Sequence, residues 1–174
     1  MPWLGVLLGD HQARMRLVAG TLNTDRILVA RRGGEIAGLA GFVADGRGPF
    51  SISQEAWTRE HGRIGGALRA AALAVARLAS NPRRGDLYVE MLRARERKRG
   101  EGVGALLLQG LDAEARRLGK GRIRMFVDVR NAAGRRFYER HGYRLVRTLS
   151  LPVVGRLFHH GRVDLLVKTL DGPP

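Results

Sequence analysis

Gly100, Gly102 and Gly104 stand at spacing two between a strand-like segment and an amphipathic one, and this junction constrains the chain more than any other feature. Glycines so spaced propagate neither a helix nor a strand. They let the backbone reach positive φ and approach a ligand closely, with several N–H groups pointing the same way. Before them, Leu87 to Ala94 (LYVEMLRA) reads as a strand. After them, Val103, Leu107, Leu111, Ala115 and Leu118 fall on one helical stripe, with Arg116 and Arg117 near its end and Gly119 as its stop. Such a helix offers unpaired N-terminal donors and the positive end of its dipole, which suits phosphate or pyrophosphate. Arg93, Arg95, Arg97, Lys98 and Arg99 surround the junction with positive charge.

The rest of the chain supplies an α/β frame. Residues 4–22 carry apolar positions at roughly helical spacing. Arg26 to Arg32 and Ile36 to Val43 are short apolar runs joined across Gly33-Gly34, a hairpin signal. Asp45 to Phe50 (DGRGPF) is a loop by composition, and Ser51 with Gln54 makes a capping-box pattern opening a helix into Trp57. Gly62, Gly65 and Gly66 loosen the chain before a helical stretch, Leu68 to Ala79, that Asn81-Pro82 stops. Gly110 weakens the helix after the glycine loop by roughly 1 kcal/mol, so something besides propensity must hold it. Arg122 to Val129 alternates as a strand, Ala132 to His141 is a short helix ended by Gly142, and Tyr143 to Thr148 and Arg162 to Thr169 are two closing strands. With no repeat, linker or second-domain boundary in 174 residues, one domain over 1–174 is expected.

Composition excludes several classes. There is no cysteine, hence no disulfide framework, thiol nucleophile or cysteine-based zinc site. None of the five histidines forms a helical H-x-x-x-H pair, so no metal is expected. No apolar run reaches membrane-spanning length, and Trp3 to Leu8 is short for a signal peptide with no basic segment before it, so a cytoplasmic location is expected. Lys and Arg total 31 against 16 acids, a formal charge of +15, and 28 of the 31 are arginine. That excess fits a polyanion partner such as nucleic acid, or a phosphate-bearing co-substrate; arginine-rich codon usage explains the count equally well.

Competing readings of the glycine loop differ in what they explain. A nucleotide P-loop needs G-x-x-x-x-G-K-[ST], and no such string exists. Gly100, Gly102 and Ala105 match a dinucleotide fingerprint, but five charged residues, Arg95 to Arg99, intervene after the strand, and no acid stands at the right distance beyond. A basic nucleic-acid patch leaves the glycines unexplained. Arg99-x-x-Gly102-x-Gly104, after a strand and opening a helix, resembles the R/Q-x-x-G-x-G/A signature of the GNAT-type N-acetyltransferases. Asn131 to Tyr143 (NAAGRRFYERHGY) resembles the same family's N-x-x-A-x-x-F-Y-E-x-x-G-F segment, with Gly134 at the small-residue position and Tyr143 in place of Phe. One helix and one strand separate the two signatures, as in the family, and the likeness covers about residues 26 to 170.

The resemblance implies a mixed, mostly antiparallel sheet flanked by helices, with a V-shaped split between two parallel strands. It implies acetyl-CoA as co-substrate and acetyl transfer to an amine without a covalent enzyme intermediate. Residues 87–174 would form the acetyl-CoA half and 1–86 the acceptor side. Carried onto this sequence, Leu92, Arg93 and Ala94 would offer backbone to the pantetheine amides. The N–H groups of Arg99, Gly100, Glu101, Gly102, Val103, Gly104 and Ala105 would hold the pyrophosphate, and Asn131 would contact the cofactor arm. Tyr138 would give a proton to the departing thiolate, a modest leaving group with a pKa near 8.5, or else be a core aromatic.

The attacking amine must lose a proton. Glu90 lies on the strand Leu87–Ala94 with the parity of Leu92 and Ala94, and is either the base or a strand acid paired with an arginine. Glu55, His61 and Asp86 are weaker candidates, and His159-His160 falls in the last hairpin loop. Two departures from the family lie on the acceptor side: its usual first strand is not evident, and Gln54 to Ala79 is long. With the positive charge, a small-molecule amine or a protein N-terminus suits the pocket better than a lysine-rich tail. A homodimer is compatible with the sequence. A non-enzymatic nucleic-acid binder is the alternative reading.

Overall fold

Gly33 and Gly34 adopt φ of 58° and 80°, the left-handed pair a two-residue hairpin turn requires, and join β1 (Ile27–Arg32) to β2 (Glu35–Val43). The computed structural model describes residues 11–18, 21–79, 85–95, 97, 100–150 and 162–170, and of 11, 13, 14 and 72–79 the backbone only. Ahead of the hairpin lie α1 (His11–Val18) and a 3-10 turn (Thr24–Arg26); the first residues of the expected 4–22 helix, and the place of an additional first strand, fall outside the described residues. There follow α2 (Gln54–Ala79), β3 (Asp86–Ala94), α3 (Val103–Arg117), β4 (Arg122–Asp128), α4 (Ala132–Arg140), β5 (Arg144–Ser150) and β6 (Arg162–Thr169).

The strands form one sheet in the order β1-β2-β3-β4-β6-β5. Every neighbouring pair is antiparallel except β3 and β4, which run parallel from Asp86↔Arg122 to Val89↔Met125. This is the mixed, mostly antiparallel α/β architecture expected. Among the described residues no helix is long and apolar enough to cross a membrane.

The core forms where α3 lies on the sheet. Val103, Leu107, Leu108, Leu111 and Ala115 are buried against Ala40, Phe42, Leu87, Val89, Ile123, Met125 and Leu166. Each such leucine contributes about 1.5–3 kcal/mol, enough to outweigh the cost of Gly110 in the helix. Gly110 itself fits because Leu28 Cδ1 would stand 3.2 Å from a Cβ there. Gly38 on β2 is tighter: a Cβ would lie 2.8 Å from both the Arg93 carbonyl oxygen and Val103 Cγ1, so its absence seats the start of α3 on the sheet.

Away from this core, Leu17 of α1 and Trp57 of α2 make a second small cluster with Ile52, Ala56 and Ala70. Two expectations are corrected here. The cap of α2 is Ser53 rather than Ser51: Ala56 N–H donates to Ser53 Oγ at 3.2 Å, while Ser51 Oγ accepts from Asn23 Nδ2 at 2.8 Å. Of the three glycines expected to loosen α2, only Gly62 leaves the helical region, at φ 71° and ψ 170°, where it kinks the helix. Gly66 is helical and packs on Trp57, whose carbonyl oxygen would stand 2.6 Å from a Cβ. The expected stop at Asn81-Pro82 and the pair His159-His160 lie outside the described residues.

Candidate functional site

The parallel pairing of β3 and β4 ends at Val89↔Met125, although β3 continues to Ala94 and β4 to Asp128. The separation coincides with a β-bulge. Gly41 pairs with Met91 and Phe42 with Val89, so Glu90 is the extra residue that bends β3 away. Beyond it, Leu92, Arg93 and Ala94 pair with Ala40, Leu39 and Gly38 on the β2 side, and Arg95 N–H donates to the Ala37 carbonyl at 2.8 Å. Their other backbone edge faces the opening between β3 and β4, with no ladder partner among the described residues.

The bulge also overturns the side-chain parity of Glu90. Strict alternation would put it on the face of Leu92 and Ala94, which pack with the core beneath α3. Instead the buried carboxylate, 5 % exposed, faces the β2–α2 loop, where a Cβ on Gly48 would lie 3.4 Å from Glu90 Oε2. Asn23 holds that loop in place by donating from Nδ2 to the Gly48 carbonyl at 2.7 Å. Asn23 carries no motif, and nothing in the sequence singled it out.

The glycine loop sits where β3 turns into α3. Arg99 lies outside the described residues; Gly100 and Gly102 have φ of 85° and 75°. Gly102 is the N-cap of α3 and, having no side chain, makes no cap hydrogen bond of its own. The first helical bond runs from Leu106 N–H to the Gly102 carbonyl at 3.0 Å, so the N–H groups of Val103, Gly104 and Ala105 have no partner inside the helix. They present an electropositive end beside the β3–β4 opening. Arg32 steadies the loop by donating to the Glu101 carbonyl at 2.8 Å, a contact across 69 positions with no local signal in the sequence.

The three glycines serve different ends, which corrects the single reason read from their spacing. Gly100 and Gly102 supply left-handed backbone. Gly104 is helical, and a Cβ there would stand 2.9 Å from Phe137 Cζ, so it makes room for the ring of α4.

On α4, Asn131 is the N-cap, its Oδ1 accepting from Gly134 N–H at 2.9 Å. A Cβ on Gly134 would come within 2.4 Å of Asn131 Nδ2, which accounts for glycine at that small-residue position. Tyr138 is half-buried between Phe137 and Tyr143, with ring centroids 5.3 and 5.9 Å away. Burial raises its pKa above that of an ordinary phenol, so it stays protonated. Tyr143 is 1 % exposed, and burial, then the nearby Asp112 carboxylate and Tyr138, push its pKa up. Of the weaker candidates, Asp86 is bound to Arg122 at 2.7 Å and Arg124 at 3.0 Å, Glu55 is exposed in the first turn of α2, and the His61 ring packs 5.8 Å from Trp57. Among the described residues no cluster of three His, Asp or Glu side chains could share a metal ion.

A split between two parallel strands, with a glycine-opened helix at its mouth, is the arrangement that the sequence resemblance implied. Residues 8–143 match the model of the acetyltransferase (GNAT) family, and the chain belongs to that family. It is 35 % identical over 73 residues to acetyltransferase Atu2258 of Agrobacterium fabrum, covering 42 % of this chain and 52 % of that protein, so the match spans about half the relative's length. Among solved structures it resembles one described simply as an acetyltransferase, with TM-score 0.60, 21 % identity, and coverage of 95 % of this chain and 85 % of the other. It also resembles a streptothricin acetyltransferase structure from Bacillus anthracis containing acetyl coenzyme A, with TM-score 0.57, 15 % identity, and coverage of 83 % and 62 %.

Proposed function

We propose that the protein transfers an acetyl group from acetyl-CoA directly to a primary amine of a small molecule or a protein. The observation that carries this reading is the run of three N–H groups, Val103 to Ala105, that have no partner inside the helix and lie beside the opening between β3 and β4. Backbone donors at a helix start suit the diphosphate, and the exposed edge of Leu92, Arg93 and Ala94 suits the amides of the pantetheine arm. The half from 87 onward then holds the co-substrate, and residues up to 86 shape the acceptor side.

In this reading the amine reaches the thioester from the acceptor side of the split. Glu90, on the bulge, takes the proton of the incoming ammonium directly or through water. The amine nitrogen bonds to the acetyl carbon, the carbon–sulfur bond breaks, the thiolate leaves with the proton of Tyr138, and the second proton shed by the nitrogen passes to the Tyr138 phenolate. The burial that keeps Tyr138 protonated fits it as a donor. The net charge of +15 favours a small amine or a protein N-terminus over a lysine-rich tail.

Calorimetric titration with acetyl-CoA tests the reading. Saturable binding is expected, weakened strongly by Gly102→Asp, which places a carboxylate at the anion cradle. Absence of binding at millimolar acetyl-CoA, with Gly102→Asp indistinguishable from the parent, overturns it. A panel of amines scored by thiol release then sorts the acceptors.

A further inference from the structure

Acetyl transfer leaves unexplained the charge on the sheet face turned away from α3. Ile123, Met125, Val127 and Leu166 point into the core, so the alternate residues of β4 and β6 point the other way. There a cleft of about 310 Å³ has Asp86, Arg122, Arg124 and Arg147 on its walls and Leu165 and Val167 among its lining. In register, Val167 lies between Arg124 of β4 and Arg144 of β5, and Leu165 lies between Phe126 and Arg147.

We propose that this outer face of β4-β6-β5 binds the phosphodiester backbone of a nucleic acid without reading its sequence. Four guanidiniums share the face with two carboxylates, Asp86 and, at the far end of β4, Asp128, which Arg130 already pairs at 3.0 Å. Asp86 takes a hydrogen bond from Arg122 Nε and another from Arg124 Nη1. A guanidinium has five N–H donors, and the Arg122 side chain is 41 % exposed, so it retains donors for an outside partner. Arg144 and Arg147, on exposed β5, form no ion pair among the described residues.

The guanidiniums gathered on this face repel one another across apolar β6, and an external polyanion relieves that repulsion. The cations are arginine, whose planar fork engages phosphate through paired hydrogen bonds. Arg124 and Arg144 are two strand spacings apart, roughly 10 Å, with apolar Val167 between them. Cations that far apart reach separate phosphates of one chain rather than sharing one small anion. The aromatic of the face, Phe126, is half-buried and packs edge-on to Tyr88 at 5.9 Å, so it offers no open platform for base stacking. Recognition therefore falls on the backbone. The overall charge of +15 adds long-range attraction.

The test is fluorescence anisotropy of the full chain with labelled single-stranded RNA, and DNA of the same sequence, each about 20 nucleotides, over a salt series. Both nucleic acids and their scrambled versions should bind alike. R144E/R147E should weaken binding at least about tenfold and flatten the salt dependence by about two phosphate contacts. R59E/R116E, an equal charge change at exposed sites on α2 and α3, should weaken it less than about threefold. R144Q/R147Q, with thermal melting checked against the parent, should show the same direction as R144E/R147E. Equal losses in the two charge-reversal pairs, binding that follows base sequence, or displacement of RNA by polyglutamate as readily as by unlabelled RNA would overturn the proposal.

Discussion

Gly104 and Phe137 meet across the two helices that carry the family's signatures: the ring of Phe137 occupies the space a Cβ on Gly104 would need, 2.9 Å from Cζ. The glycine-opened start of α3 and the tyrosine-bearing α4 are thereby locked to one another. Gly104→Ala should destabilise the protein by about 1–3 kcal/mol through overpacking and weaken acetyl-CoA binding in parallel. Gly38→Ala should cost at least as much, since the atoms it meets include the Arg93 carbonyl, which cannot rotate away. Urea midpoints with calorimetric titration check both; full stability in Gly104→Ala would mean that α4 shifts freely.

Tyr138→Phe keeps the ring packing against Phe137 and Tyr143 and removes only the hydroxyl. The turnover rate should fall on the order of 10²-fold, the low end for a general acid because a thiolate is a tolerable leaving group, with the acetyl-CoA dissociation constant unchanged. An unaltered turnover rate would make Tyr138 a packing residue alone.

Glu90→Gln should lower kcat/KM for the amine near neutral pH and recover toward parental activity as pH approaches the amine's own pKa, about 10.4, where solvent removes the proton. A pH profile of the variant with one fixed amine reads this directly. A deficit that stays constant across pH would assign Glu90 a structural part only.

Burial raises the pKa of Tyr143 in the folded protein, so the native state favours the neutral phenol. Its contribution to stability is complete below the unfolded pKa of about 10 and is lost as pH rises above that value toward the higher folded pKa, at up to about 1.4 kcal/mol per pH unit. Tyr138 adds in the same sense. Denaturant midpoints at pH 8 and pH 10.5 should therefore differ more for the parent than for Tyr143→Phe. Equal slopes for the two would place the alkaline loss elsewhere.

Asp86 is 2 % exposed and holds two guanidiniums, one of them, Arg124, with a side chain only 14 % exposed. Asp86→Ala should cost about 3 kcal/mol, since it leaves a largely buried cation uncompensated. Because the pair is buried, added salt should change this difference little. Chemical denaturation at two urea-compatible salt concentrations measures it.

Much of the fold was legible because local rules decide it. Alternation of Ile123, Met125 and Val127 marks β4, the Gly33-Gly34 pair makes the hairpin turn, and Gly119 at φ 65° ends α3 as a helix-stop glycine does. The two signatures, each a short run of residues, mark the family. What escaped has non-local causes. The face of Glu90 depends on a bulge opposite Gly41 and Phe42, and alternation counted along one strand cannot register an unpaired residue. Ser53 rather than Ser51 caps α2 because Asn23, 28 positions before Ser51, already engages the Ser51 hydroxyl.

The amino-acid order alone determined which segments are strands and helices, where the chain turns, and that a glycine loop precedes α3, because these follow from side-chain periodicity and from backbone freedom at single residues. Only the tertiary structure decided that the third glycine of the loop answers to Phe137, that Glu90 turns toward Gly48, and that Arg122, Arg124, Arg144 and Arg147 gather on one face. Those outcomes depend on the register between strands and the fit between helices, which couple residues far apart in the chain and leave no trace in any short window of it.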